Sequence, residues 1–282
     1  MEAPSPRSLI LDLLSTLRRG SMPVGALVDA GALFGLAGGT VRVALARLVA
    51  AGRVERDARG RYRLGEKAAP IQRAVESWRR LDEITCDWDG SWWAVQTPKP
   101  PGRADRKRHE RALRLTGFRE LSPGLHVRPA NRVGGCDGMR AQLASLGLAP
   151  GALVFTLSDL DADSDARARA LWDVDALRAG YRASLARLAE SERALETLPT
   201  EQAMTTSFLV GGRMIQQLVL DPLLPREIQD PAERDALAQA MRRYDRQGRR
   251  CWADFLARYD VPHLRAPADT GLHDGVHRLD AA

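Results

Sequence analysis

Residues 38–64, GGTVRVALARLVAAGRVERDARGRYRL, decide how the beginning of this chain folds. Val41, Leu45 and Leu48 recur at the spacing of one helix face, and a glycine follows where helices commonly end. The chain then alternates between apolar and charged residues on both sides of a tip at residues 58–60. This alternation is typical of a β-hairpin, so the stretch predicts a helix followed by a hairpin.

The helix face opposite the apolar stripe carries small and basic residues. At about 100° per residue, most of these side chains point away from the stripe. Alternate residues of the returning strand place further arginines on one face of the hairpin. Small side chains beside guanidinium groups suit a helix that enters a DNA groove, with the hairpin on the DNA backbone. The candidate DNA contacts are Thr40, Arg42, Val43, Arg47, Arg59, Arg61 and Arg63.

Positive charge is concentrated on this same stretch. Residues 1–41 contain three basic and three acidic residues, whereas residues 42–63 contain seven arginines and two acidic residues. The whole chain has a formal net charge of +6. A phosphate backbone requires such an excess of positive charge, so we predict a DNA partner. The alternative is a solvated basic hairpin on an ordinary small domain.

The remaining composition argues against several other classes of protein. The three cysteines are far apart and form no CxxC pair, and the five histidines have no paired ligand spacing. We therefore predict no disulfide framework, no metal and no cofactor. No apolar run approaches the roughly 20 residues of a membrane span, and no signal-peptide pattern opens the chain. The expected location is the cytoplasm of a bacterium.

The order of helical and strand patterns predicts an α+β protein with several parts. The predicted parts are a winged helix-turn-helix domain at 1–66, a connector helix at 67–84, a ferredoxin-like α+β domain at 85–163, a helical C-terminal domain at 164–262 and a tail at 263–282. The middle part is expected to run strand, helix, strand, helix, strand. The connector is expected to be amphipathic, with Trp78 on its apolar face.

Several motifs along the chain resemble those of the PaaX family, the repressors of phenylacetic acid degradation operons. SLILDLLSTL resembles the first helix of the family, TVRVALARLVAAGRV its recognition helix and RGRYRL its wing. WDGSWWAV and RALRLTGFRELSPGLHVRP resemble its central domain, and LWDVDALRAGY and DPLLP its C-terminal region. The resemblance implies a transcriptional repressor with a winged helix, a ferredoxin-like middle domain and a helical C-terminal domain. It also implies an aryl-acetyl-CoA thioester as the effector that releases the operator.

A second basic stretch runs from Lys99 to Arg119 and contains eight basic residues but only two acidic ones. Three of the basic residues share one face of a predicted helix. They could contact DNA a second time, hold the phosphates of a coenzyme A ligand, or form only a solvated face. The weak candidates for ligand binding are Arg106, Lys107, Arg111 and Arg114.

No motif indicates an enzyme. The sequence contains no nucleophile elbow, no HExxH and no paired His and Cys, so we predict no catalytic residues. Asp159, Asp161, Asp163 and Asp165 lack the glycine and glutamate spacing of a calcium loop, and are expected to form a polar loop with a helix cap. The alternative function is an acyl-CoA-binding or thioester-hydrolysing protein that uses the winged helix for interaction.

One winged helix covers little DNA, which favours a homodimer on a pseudo-palindromic operator. The candidate dimer surfaces are the apolar helices of 164–260 and the connector at 68–81. The alternative is that these helices pack only within one chain. The glycine pair at 211–212 interrupts a helical pattern and suggests close helix packing.

Overall fold

The structure of the protein is a computed structural model that describes residues 3–17, 20–97 and 103–261. The predicted tail at 263–282 lies outside the described residues, as does Lys99. Helices and antiparallel sheets occur together along the described chain, in agreement with an α+β protein. No helix within these ranges is long and apolar enough to cross a membrane.

Three helices and a three-stranded antiparallel sheet form the N-terminal unit. Its elements are α1 (Pro6–Ser15), β1 (Met22–Pro23), α2 (Val24–Leu33), α3 (Gly38–Ala50), β2 (Val54–Arg56) and β3 (Arg61–Leu64). The strand order is β1-β3-β2, so the predicted hairpin gains a third strand. Strand β1 escapes sequence analysis because two residues, one of them a proline, show no alternation.

The predicted apolar stripe of α3 is buried. Val41, Leu45 and Leu48 pack with side chains of α1 and α2 in one apolar cluster. Helix α3 ends at Ala50, and Gly52 then adopts a φ of 67°, the left-handed conformation that commonly follows a helix. Because the stripe is fixed against the core, the opposite face of α3 must point outward.

The connector is helical but broken into short segments. A 3₁₀ turn leads into α4 (Ala69–Glu76), and a second one separates α4 from α5 (Leu81–Ile84). Trp78 is only 1% exposed and packs among side chains of the C-terminal helices. The apolar face of the connector is therefore covered within one chain, which is the alternative to its use as a dimer surface.

The middle unit is a four-stranded antiparallel sheet with two helices. Its elements are β4 (Trp92–Gln96), α6 (Arg103–Leu115), β5 (Arg119–Ser122), β6 (Leu125–Pro129), α7 (Gly135–Leu146) and β7 (Leu153–Leu157). The strand order is β5-β6-β4-β7. The prediction of three strands was incomplete, because β5 is a short and largely exposed edge strand without an apolar run.

The C-terminal unit is helical, as predicted. Its elements are α8 (Ala162–Arg169), α9 (Val174–Leu195), α10 (Thr200–Val219) and α11 (Ala232–Ala257). Tyr181, Leu188 and Leu195 of α9 face side chains of α10 and α11 in one buried cluster. These apolar faces, like that of the connector, are occupied by contacts within the chain.

The two glycines of α10 differ in their surroundings. A Cβ atom on Gly211 would lie 3.4 Å from Met241 and 3.6 Å from Tyr244, both of α11. A Cβ atom on Gly212 would meet nothing within 4 Å. The suggestion of close helix packing is therefore confirmed for Gly211, whereas Gly212 faces open space.

The C-terminal helices share an apolar core with the N-terminal unit. Trp252, Phe255 and Leu256 of α11 belong to the same buried cluster as the apolar residues of α1. The rings of Phe34 and Phe208 lie 5.2 Å apart, joining the end of α2 to α10. The N-terminal unit is thus held directly against α10 and α11 rather than through the connector alone.

Candidate nucleic-acid interface and ligand cavity

The outward face of α3 is exposed and carries four of the candidate DNA contacts. Thr40, Arg42, Val43 and Arg47 are all exposed, as their position opposite the buried stripe requires. Val43 is 52% exposed, which is unusual for a branched apolar side chain. An exposed methyl surface between two guanidinium groups can contact base edges while the charges contact phosphates.

Asp57 organises the tip of the hairpin. Its Oδ1 accepts hydrogen bonds from the backbone N–H groups of Arg59 and Arg61, each at 2.9 Å. The hydrogen bond from the Arg61 N–H is the main reason why the pKa of Asp57 lies below its usual value. Gly60 completes the turn with a φ of 76°. This turn leaves the Arg59 side chain exposed at the tip.

Arg61 and Arg63 have different surroundings although they lie on the same strand face. Arg63 is exposed and pairs with Glu55 of the neighbouring strand at 3.3 Å. The guanidinium of Arg61 instead donates to the hydroxyl and the carbonyl oxygen of Ser21, at 3.2 and 3.0 Å. It also donates to the carbonyl oxygens of Tyr259 and Asp260, at 3.3 and 3.2 Å. Arg61 therefore ties the hairpin to the turn that follows α11, and its contact with DNA stays a prediction.

The four candidate ligand residues on α6 do not form one cluster around a pocket. Arg106 and Lys107 are exposed, and Arg111 is half-buried. Arg114 is exposed at the end of the helix, where it lines a large cavity. Sequence spacing correctly placed these residues on a helix, but only the tertiary packing brings Arg114 to the cavity.

This cavity has a volume of about 660 Å³ and lies between the N-terminal unit and the C-terminal helices. Its walls come from α1, from the connector, from the end of α6 and from α10 and α11. Most of the wall is apolar, including Phe208, Ile215, Val219, Leu220 and Trp252. A cavity of this size and character is suited to a small organic ligand.

Asp12 of α1 projects into the cavity. Its side chain is reached by solvent through the cavity but is surrounded by protein on the other sides, and this burial raises its pKa to about 6. The structure gives the carboxyl group no ion-pair partner among the described residues. Sequence analysis missed Asp12, because an acidic residue on an amphipathic helix is usually solvated and nothing in the spacing indicates a cavity.

Three arginines from separate elements influence one another electrostatically. Arg53, at the turn between α3 and β2, is half-buried, and this burial together with the nearby charges of Arg7 and Arg111 lowers its pKa. The buried Nε of Arg111 has no hydrogen-bond partner. Sequence analysis counted Arg53 in the basic stretch but gave no role to Arg53 or Arg7, because they lie far from α6 in the chain.

A buried polar junction joins the middle and C-terminal units. The Tyr181 hydroxyl donates to Oδ2 of Asp221 at 2.6 Å, and burial raises the pKa of this aspartate. Arg128 is fully buried and donates to Oδ1 of Asn131 at 2.8 Å. Asn131 in turn donates to the carbonyl oxygen of Leu223 at 2.8 Å. The motifs LWDVDALRAGY and DPLLP, far apart in sequence, thus meet at one junction.

The acidic stretch at 159–165 forms a helix cap, as predicted. Asp161 precedes α8, and its Oδ1 accepts a hydrogen bond from the Ser164 N–H at 2.8 Å. Within the described ranges, no group of three or more His, Cys, Asp or Glu side chains is placed to hold a metal ion. The three cysteines are free thiols.

The N-terminal unit is similar to a known protein family. Residues 5–68 match the family model described as PaaX-like protein, which confirms the family resemblance for this part of the chain. A solved structure, the uncharacterized protein Rv0674 from Mycobacterium tuberculosis, has a similar fold with a TM-score of 0.55 and 24% sequence identity. The similarity covers 88% of this chain and 98% of that one. No curated protein matches this chain significantly.

Proposed function

Since residues 5–68 match the family model described as PaaX-like protein, we propose that this chain is a DNA-binding repressor of an aromatic-acid catabolic operon. In this proposal an aryl-acetyl-CoA-type thioester releases the repressor from its operator. The protein acts in the bacterial cytoplasm, where the DNA is, and has no catalytic role.

The exposed face of α3 is the observation that carries the proposal. It presents Arg42 and Arg47 to solvent, with Val43 between them, on a helix whose other face is buried. We assign α3 as the recognition helix of a winged helix-turn-helix and the β2–β3 hairpin as its wing. In this arrangement the helix enters the major groove, and Arg59 and Arg63 contact the phosphate backbone.

The order of elements in the middle unit supports our assignment of this unit as a ferredoxin-like domain. Its elements follow the order strand, helix, strand, strand, helix, strand, and its first and third strands are neighbours at the centre of the sheet. Both helices pack on the sheet through one apolar cluster. We assign this unit a connecting role between the N-terminal unit from α1 to β3, which is the proposed DNA-reading head, and the C-terminal helices.

The large cavity supports control by a small molecule. It is mostly apolar, it lies between the reading head and α10 and α11, and Arg114 lines it. An aryl-acetyl group is small enough for such a space, and the basic helix α6 lies at its edge. A thioester would release DNA only if it bound more tightly to an arrangement of the protein that does not fit DNA.

We also propose a homodimer on DNA. One small DNA-binding module covers only about 600–1,000 Å² of protein surface, whereas two copies on a two-fold axis double the contacts. The helices first considered as dimer surfaces are packed within the chain, so the proposal rests on this area argument alone. Light scattering of the protein with and without operator tests it, and a single copy on each operator would contradict it.

A footprint of the purified protein on its own upstream DNA tests the proposed function. We expect a protected site that is lost when an aryl-acetyl-CoA thioester is added. Arg42→Ala and Arg47→Ala should each weaken operator binding by about 1–3 kcal/mol if the arginine makes a bidentate base contact. Arg193→Ala, which removes an exposed arginine from α9, is the matched control and should bind as the unchanged protein does.

Two results would contradict the proposal. If both α3 variants bound operator as tightly as the control at equal salt, the recognition helix would be assigned wrongly. Turnover of the thioester without any footprint would instead favour the alternative function, an acyl-CoA-binding or thioester-hydrolysing protein.

A further inference from the structure

The turn that follows α11, residues 258–261, lies against two separate elements of the reading head. We propose that this turn sets the position of the hairpin on DNA, and that Tyr259 is its positioning residue. With the turn in place, the hairpin tip reaches a phosphate while α3 occupies the groove. The inference rests on the proposed function, because it names the element through which the C-terminal unit would control DNA binding.

Tyr259 contacts the reading head on two sides. Its hydroxyl donates a hydrogen bond to the carboxylate of Asp29 in α2. Its ring lies against the same helix, since a Cβ atom on Gly25 would be 3.6 Å from the ring. Its carbonyl oxygen accepts a hydrogen bond from Arg61 of the hairpin at 3.3 Å, and that of Asp260 accepts another at 3.2 Å. The turn therefore bridges α2 and β3.

The turn is itself held in place. Val261 is only 2% exposed and belongs to the apolar cluster that α11 shares with the N-terminal unit. Its backbone N–H donates to the carbonyl oxygen of Leu256 at 3.1 Å. The N–H of Asp260 donates to the carbonyl oxygen of Ala257, also at 3.1 Å, and its φ of 51° is the left-handed conformation that commonly closes a helix. A turn anchored in this way can carry a displacement of α11 to the hairpin.

The hairpin depends on such support because it is short. Strands β2 and β3 contain three and four residues, and the third strand, β1, contains two. Sheets of this size have little stability of their own. Arg61 joins β3 to Ser21 and to the turn through four hydrogen bonds, and it lies two residues from Arg59 at the tip. Moving the turn would therefore move the tip.

The position of the tip matters because α3 and the hairpin are proposed to contact the same DNA. Two linked contacts strengthen binding only when the protein holds them at a spacing that allows both at once. A hairpin in the wrong direction would lose its phosphate contact although Arg59 itself is unchanged. The contacts of α3 would remain. Loss of positioning is thus distinguishable from general loss of structure.

Tyr259→Phe tests this role, because it keeps the ring and removes only the hydroxyl. In gel shifts with the full chain and its operator, we expect binding to weaken by about 3- to 10-fold. The slope of log affinity against log salt concentration should fall by about 1, as for one lost phosphate contact. Tyr244→Phe is the matched control on the same helix. It loses a hydrogen bond shared with Ser191 inside the C-terminal unit, so affinity and slope should stay unchanged.

Double variants separate positioning from instability. On an Arg59→Ala background, Tyr259→Phe should weaken operator binding little further, because the contact that it positions is already gone. On an Arg42→Ala background, which alters α3 instead, the full effect of Tyr259→Phe should persist. A general loss of stability would weaken binding equally on both backgrounds.

The partner of the hydroxyl gives a second, charge-matched test. Asp29 is exposed, so its replacement should leave the fold intact. Asp29→Ala and Asp29→Asn remove the same negative charge, but asparagine keeps an oxygen that accepts the hydrogen bond of Tyr259. We expect Asp29→Ala to bind operator about 3-fold or more weakly than Asp29→Asn. Equal affinities would assign any change to charge and would contradict a positioning contact.

Hydrogen exchange of the free protein measures the mechanical part without DNA. A hairpin that loses its support opens more often, so its backbone N–H groups exchange faster. Tyr259→Phe should accelerate exchange at residues 54–64 and leave α3 unchanged. Tyr244→Phe should accelerate neither.

Several outcomes would overturn the inference. These are unchanged affinity and slope for Tyr259→Phe, an equal loss on the Arg59→Ala and Arg42→Ala backgrounds, and tighter binding by Tyr259→Phe. Tighter binding would mean that the turn keeps the hairpin away from DNA.

Failure of the inference and failure of the proposed function look different. A chain whose operator binding depends on Arg42 but not on Tyr259 would remain a DNA-binding regulator without this positioning element. A chain without any footprint would contradict the proposed function. The exchange rates of the hairpin would then still decide whether Tyr259 holds it.

Discussion

Arg61 of the hairpin donates a hydrogen bond to the carbonyl oxygen of Tyr259, 3.3 Å away in the turn that follows α11. The Tyr259 hydroxyl, in turn, donates to the carboxylate of Asp29 on α2. These two contacts fasten the last helix to two elements of the reading head. The orientation of the hairpin is therefore set by the C-terminal unit as well as by its own turn.

Arg61→Ala should lower stability more than it changes DNA affinity. The variant loses hydrogen bonds to Ser21, Tyr259 and Asp260, and we expect a loss of about 1–3 kcal/mol in the free energy of unfolding. Arg63→Ala, two residues along the same strand, loses one exposed ion pair and should cost less than about 1 kcal/mol. Urea unfolding of the two variants measures the difference, and equal losses would contradict the structural role of Arg61.

Arg59→Ala should weaken operator binding without changing which sequence is preferred. Arg59 lies exposed at the tip of the hairpin, where a contact to phosphate carries no sequence information. The slope of log affinity against log salt concentration should fall by about 1, as expected for one lost phosphate contact. Gel shifts over a range of salt concentrations provide the measurement. An unchanged slope would place the tip away from DNA.

Asp12→Asn should change the pH dependence of stability. The pKa of Asp12 is raised by burial from 3.8 to about 6, so the folded state disfavours the ionised carboxyl. The contribution of this group to stability is fully present below pH 3.8 and is lost as the pH rises through about 6. The Tm of the variant should therefore exceed that of the unchanged protein by an amount that grows as the pH rises from 4 to 6. Above pH 6 this difference in Tm should stay constant.

The control for this change is Asp163→Asn, the same chemical substitution at an exposed position of α8. Its Tm difference from the unchanged protein should not vary with pH in the way expected for Asp12. A parallel pH profile for the two variants would contradict the assignment of Asp12 to a desolvating wall.

Arg128→Met should loosen the junction between the middle and C-terminal units. The fully buried guanidinium donates to the carbonyl oxygen of Thr116 and to Oδ1 of Asn131, and methionine leaves both acceptors without this partner. We expect a loss of about 3 kcal/mol or more in the free energy of unfolding. Arg119→Met removes an exposed arginine from β5 and should change stability by less than about 0.5 kcal/mol. Similar losses for both would show that the junction is not held by Arg128.

Gly65→Ala should destabilise the hairpin. A Cβ atom at this position would lie 2.6 Å from the carbonyl oxygen of Gly52, and backbone cannot move aside as a side-chain end can. Gly212→Ala should instead raise the free energy of unfolding by about 0.5–1 kcal/mol, because alanine favours a helix interior and its Cβ meets no neighbour there. Thermal unfolding of both variants tests the pair, and a stable Gly65→Ala protein would contradict the close approach.

Local sequence patterns were sufficient to identify α3, the hairpin and the exposed residues of the helix. Their spacing depends only on helix and strand periodicity, and burial of Val41 on one face leaves Arg42 and Arg47 exposed. The pattern was not sufficient to find β1 or β5, which are too short or too exposed to show one. It also treated Arg61 and Arg63 alike, because strand alternation places them on one face.

The sequence by itself determined most of the elements, the concentration of positive charge on α3 and the hairpin, and the similarity of residues 5–68 to the family described as PaaX-like protein. Only the tertiary structure decided which charged side chains are available and which are used inside the chain. Arg61 meets Tyr259, and Asn131 meets Leu223, through contacts between residues far apart in the chain. Periodicity describes neighbours along one element. Cavities and ion clusters arise where separate elements pack, and that packing depends on the whole core.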